Sequence, residues 1–173
     1  MLTRQISLSA PIFLFIFLLQ EAVVNQFKLP GGGFSLFAIF ALVWAVISTP
    51  EIAALTGFGA GLLMDMSGGA GGPVGQWTLI MIIICYAVSY LGYGDGNING
   101  NPVGVVFFVV VANLVTEVLF LASSALLGVT TGGFGQIILT LLGNSLWVLV
   151  ITPIVLPVFS FMHNFVFETR SAL

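Results

Sequence analysis

Two carboxylates stand in apolar stretches of this sequence where an ionisable group is costly, and they are the first residues to weigh for chemistry. Asp65 closes the run TGFGAGLLMD, and Glu117 lies near the middle of the run from Val103 to Leu127. A charge at the centre of a membrane helix costs about 2.5 kcal/mol or more, so such a group has a partner or a task. Buried carboxylates serve proton relays and cation sites, or act as polar glue between helices. Spacings of three and four put Asn113 beside both Thr116 and Glu117, one polar stripe on an otherwise apolar helix. The Glu117 carboxyl is therefore expected to bond to Asn113, to Asn144 in the last apolar run, or to a partner protein. A pump or exchanger would need in addition a second buried charge and a means of alternating access, so a structural role is expected.

Asp65 belongs to a different pattern. Gly57, Gly61 and Asp65 recur every fourth residue and share one helix face, so the glycines open a groove with the carboxylate at its end. Small residues at that spacing are what close helix packing in lipid requires, with or without a ligand. The run then breaks: four of the six residues from Gly68 to Pro73 are glycine, and Pro73 cannot donate a backbone hydrogen bond. Asp65 is expected to order that turn by accepting from its exposed amides.

No hydrolytic or transfer chemistry can be assembled from the remaining residues. The one histidine, His163, lies beyond the last proline, with no nucleophile and orienting group to go with it. Asp65 and Asp95 fall at opposite ends of one apolar run and cannot form a dyad. The single Cys85 can form neither an internal disulfide nor a metal pair and reads as a small buried hydrophobe. Asp95, Asn97, Asn99 and Gly100 match part of a calcium loop, but Val106 stands where its glutamate belongs, so a polar turn is expected. No catalytic, cofactor or metal site is expected. Three basic residues in no cluster make nucleic acid a poor partner.

The elements that must position these residues are membrane helices. Of the 173 residues 59% are hydrophobic and 5% charged, which excludes an ordinary soluble domain and makes the lipid bilayer the solvent of the fold. Residues 1–173 read as one transmembrane domain with six apolar runs: Ile6 to Val24, two within Phe34 to Met66, Gln76 to Leu91, Val103 to Leu127 and Phe134 to Phe161. The pair within Phe34 to Met66, divided at Ser48, Thr49, Pro50 and Glu51, are short for full crossings. Pro153 and Pro157 should kink the last run. The first run lacks a cleavage site and is expected to be retained. The fold class expected is an all-α integral membrane protein, a compact bundle of about six transmembrane helices. An even number places both termini on one side, and Arg4 and Arg170 against Lys28 make that side the cytoplasm.

These residues also carry a family likeness. Gly57-Phe58, Gly61-Leu62-Leu63, Asp65, Pro73 and Gly75 resemble the pattern of the MreD family, the small rod-shape-determining membrane proteins of bacteria. Leu18-Leu19-Gln20, Glu117, and Asn144 with Leu146, Trp147 and Pro153 look like further recurrent positions of that family. The resemblance implies a non-enzymatic scaffold of the cell-elongation machinery in the inner (plasma) membrane. Its partners would be MreC, the actin-like MreB filament, and the transpeptidase and glycosyltransferase that build lateral peptidoglycan. It makes Gly57, Gly61, Asp65, Asn113, Glu117 and Asn144 candidates for helix packing or a partner interface. The alternative is a family of similar fold, the substrate-binding membrane subunits of energy-coupling-factor vitamin transporters. Their Ala-xxx-Ala docking motif has no counterpart between Ile6 and Val24.

Overall fold

The computed structural model describes residues 2–27, 32–67, 72–94, 101–129 and 133–167, with side chains outside that description at 2–7, 93–94 and 134. The expected polar turn at Asp95 to Gly100, most of the glycine loop, Lys28, Arg170 and the Arg4 side chain lie outside it. The described residues form six α-helices: α1 (Leu2–Ala22), α2 (Leu36–Val46), α3 (Pro50–Met66), α4 (Gln76–Gly94), α5 (Pro102–Leu126) and α6 (Phe134–Phe167). There is no strand among the described residues.

Among the described residues, three segments are long and apolar enough to cross a membrane: Leu8–Gln26, Pro102–Leu126 and Gly135–Phe167. The chain is thus an all-helical membrane protein by length and composition. The helix at the centre is the shortest. α2 has eleven residues, or roughly 16 Å at 1.5 Å per residue, about half of a hydrocarbon core. No residue from Phe37 to Val46 is more than 4% exposed. A helix apolar on every side belongs inside a bundle, and α2 packs against the other five helices. Phe13 of α1 and Phe159 of α6 set their rings against Phe40 of α2 at 4.8 and 4.9 Å between centroids.

Local chemistry sets where α2 begins. Ser35 Oγ accepts from the Ala38 amide at 3.1 Å, while Gln20 Oε1, from the end of α1, accepts from the Leu36 amide at 2.7 Å. These bonds satisfy two of the four amides that a helix start leaves open. The Gln20 amide group donates in turn to Asn25 Oδ1 in the short 3-10 turn after α1. α3 starts at Pro50, with Glu51 in its first turn, the arrangement favoured by proline's fixed φ and the helix dipole. α5 starts at Pro102 behind Asn101, whose side chain accepts from the Val103 amide. α6 continues as a helix through both Pro153 and Pro157.

Successive helices reverse direction. The end of α1 meets the start of α2 at Gln20 and Leu36, and the end of α3 through Ser67 and Glu21. The start of α4 meets the end of α5 at Gln76 and Ser124. At the opposite end of the bundle, Ser9 of α1, Trp44 of α2, Ile52 of α3 and Phe167 of α6 line one cavity.

Candidate functional site

The glycine face of α3 looks onto the backbone of α4. A Cβ added to Gly57 would overlap the Met81 carbonyl, and one added to Gly61 would overlap Cα of Thr78 and lie 2.8 Å from its amide nitrogen. Gly59, on the other side of the same helix, would meet nothing within 4 Å. Two glycines one turn apart thus let two helix axes approach more closely than any side chain permits, with dispersion contacts as the gain.

Asp65 stands at the end of that face and reaches the first turn of α4. Its Oδ1 accepts from the Trp77 amide at 3.1 Å, and its Oδ2 accepts from the Thr78 amide at 3.0 Å and the Thr78 hydroxyl at 2.5 Å. A carboxylate here fills open helix-start amides and faces the positive end of the α4 dipole. The amides it binds belong to the helix beyond the glycine loop. Beside this contact, Gln76 Nε2 lies 3.0 Å from the Phe120 carbonyl, 2.6 Å from Ser123 Oγ and 2.9 Å from Ser124 Oγ. Trp77 stacks on Phe120 with centroids 4.4 Å apart. The start of α4 is thereby tied to both α3 and α5.

A second polar cluster joins α5 to α6. Asn113 Nδ2 lies 3.2 Å from Glu117 Oε1 and 3.4 Å from Asn144 Oδ1, and Asn144 Nδ2 donates to the same Glu117 oxygen. The structure therefore brings Asn113, Glu117 and Asn144 together, and separately Gly57, Gly61 and Asp65 along α3. It does not join the two sets: one binds α3 to α4, the other α5 to α6.

A third cluster has no counterpart in the sequence reading. Ser48 Oγ and His163 Nε2 share a buried hydrogen bond of 3.0 Å, and the Ser89 hydroxyl donates to the Ser48 carbonyl at 2.6 Å. The imidazole stacks on Phe167 at 4.4 Å and meets Trp44 edge-on at 4.9 Å. A hydroxyl beside an imidazole is the first half of a nucleophile–base arrangement. Here both side chains are buried, and the bonds tie the α2–α3 turn to α4 and α6. His163 and Ser48 are 115 positions apart, and Gln76 reads in sequence only as the polar start of an apolar run. No spacing rule links such residues.

Among the described residues, no group of three His, Cys, Asp or Glu side chains converges as a metal site would require. Cys85 is buried and unpaired with another cysteine. Comparison with protein-family models, with curated proteins and with solved structures finds no match.

Proposed function

We propose that this chain is a non-enzymatic scaffold of the bacterial cell-elongation machinery, of the MreD type. In this reading the bundle crosses the inner membrane six times with both ends in the cytoplasm. It holds MreC, and with it MreB and the wall-building transpeptidase and glycosyltransferase. The observation that carries the reading is the use of the polar side chains. Asp65 caps α4, the Glu117 cluster joins α5 to α6, and His163 is held by Ser48, so the groups able to do chemistry bind helix to helix. What is left for partners is helix surface, such as the exposed Leu139, Leu142 and Leu146 on α6.

The vitamin-transport alternative gains little from the cavity between α1 and α3. Its wall offers hydroxyls at Ser9 and Thr56 and no charged side chain, which gives a polar vitamin little to hold. The test is purification of the tagged chain from membranes that contain MreC. Recovery of MreC, lost on widening the Gly61 contact with Gly61→Leu, is the expected result. Recovery of a vitamin without MreC would overturn the proposal.

A further inference from the structure

α1 packs on α2 and α6, and α3 packs on α2 and α4, which leaves a cleft between α1 and α3. The cleft encloses about 520 Å³. Ala10 and Phe13 form one wall, Gly59 and Leu63 the other, and Trp44 and Phe167 close it toward the core. Its mouth is continuous with an apolar outer surface: Leu14 is 49% exposed, Leu55 44% and Phe58 47%. The α1 wall belongs to a segment long and apolar enough to span a membrane, so that surface faces lipid tails.

We infer that this cleft is a binding site for one acyl chain of a membrane phospholipid. Three observations point to that occupant. The lining is apolar apart from two hydroxyls, Ser9 and Thr56, so the occupant is a hydrocarbon. The lining runs along α3 from Ile52 to Leu63, about 16 Å at 1.5 Å per residue, which is half the ~30 Å of a hydrocarbon core and the depth of one leaflet. A transmembrane helix of a partner runs the full thickness of the membrane, about twice the length of this lining. The absence of a side chain at Gly59 keeps the cleft open, since a Cβ there would meet nothing within 4 Å. Trp44, itself 1% exposed, lies at the inner end of the cleft, close to a chain seated there, and its ring abuts His163.

Trp44 also supplies the probe. In a variant with Trp77→Phe and Trp147→Phe, Trp44 is the sole tryptophan, and bromine atoms placed mid-chain on phosphatidylcholine quench a tryptophan they approach. The variant is reconstituted in vesicles of brominated or plain phosphatidylcholine, with and without Gly59→Phe. The expected result is loss of most of the Trp44 emission in brominated vesicles, and its recovery when Gly59→Phe fills the cleft. Ala10→Phe, filling it from the α1 wall, gives a second reading should Gly59→Phe fail to fold. Undiminished emission in brominated vesicles, or equal quenching with the cleft filled, overturns the site. Quenching that falls as the protein-to-lipid ratio rises would place a second protein in the cleft and overturns it as well.

Discussion

Asp65 grips Thr78 twice, accepting from its amide at 3.0 Å and from its hydroxyl at 2.5 Å, and so fastens the end of α3 to the first turn of α4 across the glycine loop. The pair does what an N-cap does, with the capping residue supplied by the preceding helix. Leucine at position 65 leaves those amides open, and loss of an N-cap costs about 0.5–2 kcal/mol. Asparagine keeps one acceptor and loses the charge facing the helix dipole, a smaller loss of about 0.3–1 kcal/mol. Thermal unfolding in detergent should therefore rank wild type above Asp65→Asn and Asp65→Asn above Asp65→Leu. Equal stability of wild type and Asp65→Leu would show that the contact adds nothing.

The glycines of the same helix make a sharper contrast. At Gly61 a side chain enters the Thr78 backbone, which cannot rotate away as a side chain can, and overpacking of this kind costs about 1–3 kcal/mol or more. At Gly59 it enters open space. Gly61→Leu should lower the melting temperature clearly, Gly57→Leu likewise, and Gly59→Leu little, although all three remove one glycine from one helix. A uniform effect across the three would mean that helix propensity, and not the α3–α4 contact, governs these positions.

The comparison of these positions shows what a single sequence can carry. A four-residue period is a property of one helix, so the shared face of Gly57, Gly61 and Asp65 is legible in the chain itself. That the carboxylate would order the glycine turn is the expectation local geometry suggests, whereas the amides it accepts from, those of Trp77 and Thr78, belong to α4. What faces that helix is not local: Met81 and Thr78 emerge only once α4 folds back. The same limit separates the two buried polar bridges. Asn113 and Glu117 are four apart on one helix and could be paired at sight, whereas Ser48 and His163 meet through three turns of topology. The run from Phe34 to Val46 contains no charged residue, which suits a helix buried on every side, yet the point at which its eleven helical residues begin is fixed by acceptors at Gln20 and Ser35, the first of them from another helix.

At the α5–α6 seam, the two carboxamides of Asn113 and Asn144 donate to one oxygen of Glu117. Glutamine in its place retains a carbonyl acceptor in the same position and should preserve assembly. Leucine leaves both amides without their acceptor inside the bundle, and interhelical polar contacts in membrane proteins are worth about 0.6–2 kcal/mol. Insertion and detergent stability should both be near wild type for Glu117→Gln, and stability should drop for Glu117→Leu. A Glu117→Gln protein that inserts and assembles normally but loses function would assign the carboxyl an ionisation role.

The Ser48–His163 bridge calls for a double-mutant cycle. Ser48→Ala alone leaves a buried imidazole nitrogen without its partner, a loss of about 1–3 kcal/mol. His163→Phe alone strands the hydroxyl but keeps a ring to stack on Phe167. Combining them removes both polar groups, and such paired replacement by apolar groups is nearly neutral when shape is kept. The double variant should therefore be more stable than the sum of the single losses implies, by about 0.5–3 kcal/mol of coupling. Strict additivity would mean that the two side chains do not interact.

The final prediction concerns topology and rests on contacts at the two ends of the bundle. Ser9 near the start of α1 and Phe167 at the end of α6 line one cavity, together with Trp44 from the end of α2 and Ile52 from the start of α3. At the other end Gln20 meets Leu36, Glu21 meets Ser67, and Gln76 meets Ser124. The first and last helices therefore begin and finish on the same side of the bundle, whatever local thickness of membrane α2 covers. Reporter domains fused at Met1 and at Leu173 should give the same compartment, and under the proposed topology that compartment is the cytoplasm, the side the positive-inside bias of Arg4 and Arg170 favours. A reporter placed after Lys28 should give the opposite one. Opposite signals from the two termini would mean that α2, at roughly 16 Å, turns back within the membrane and does not complete a crossing.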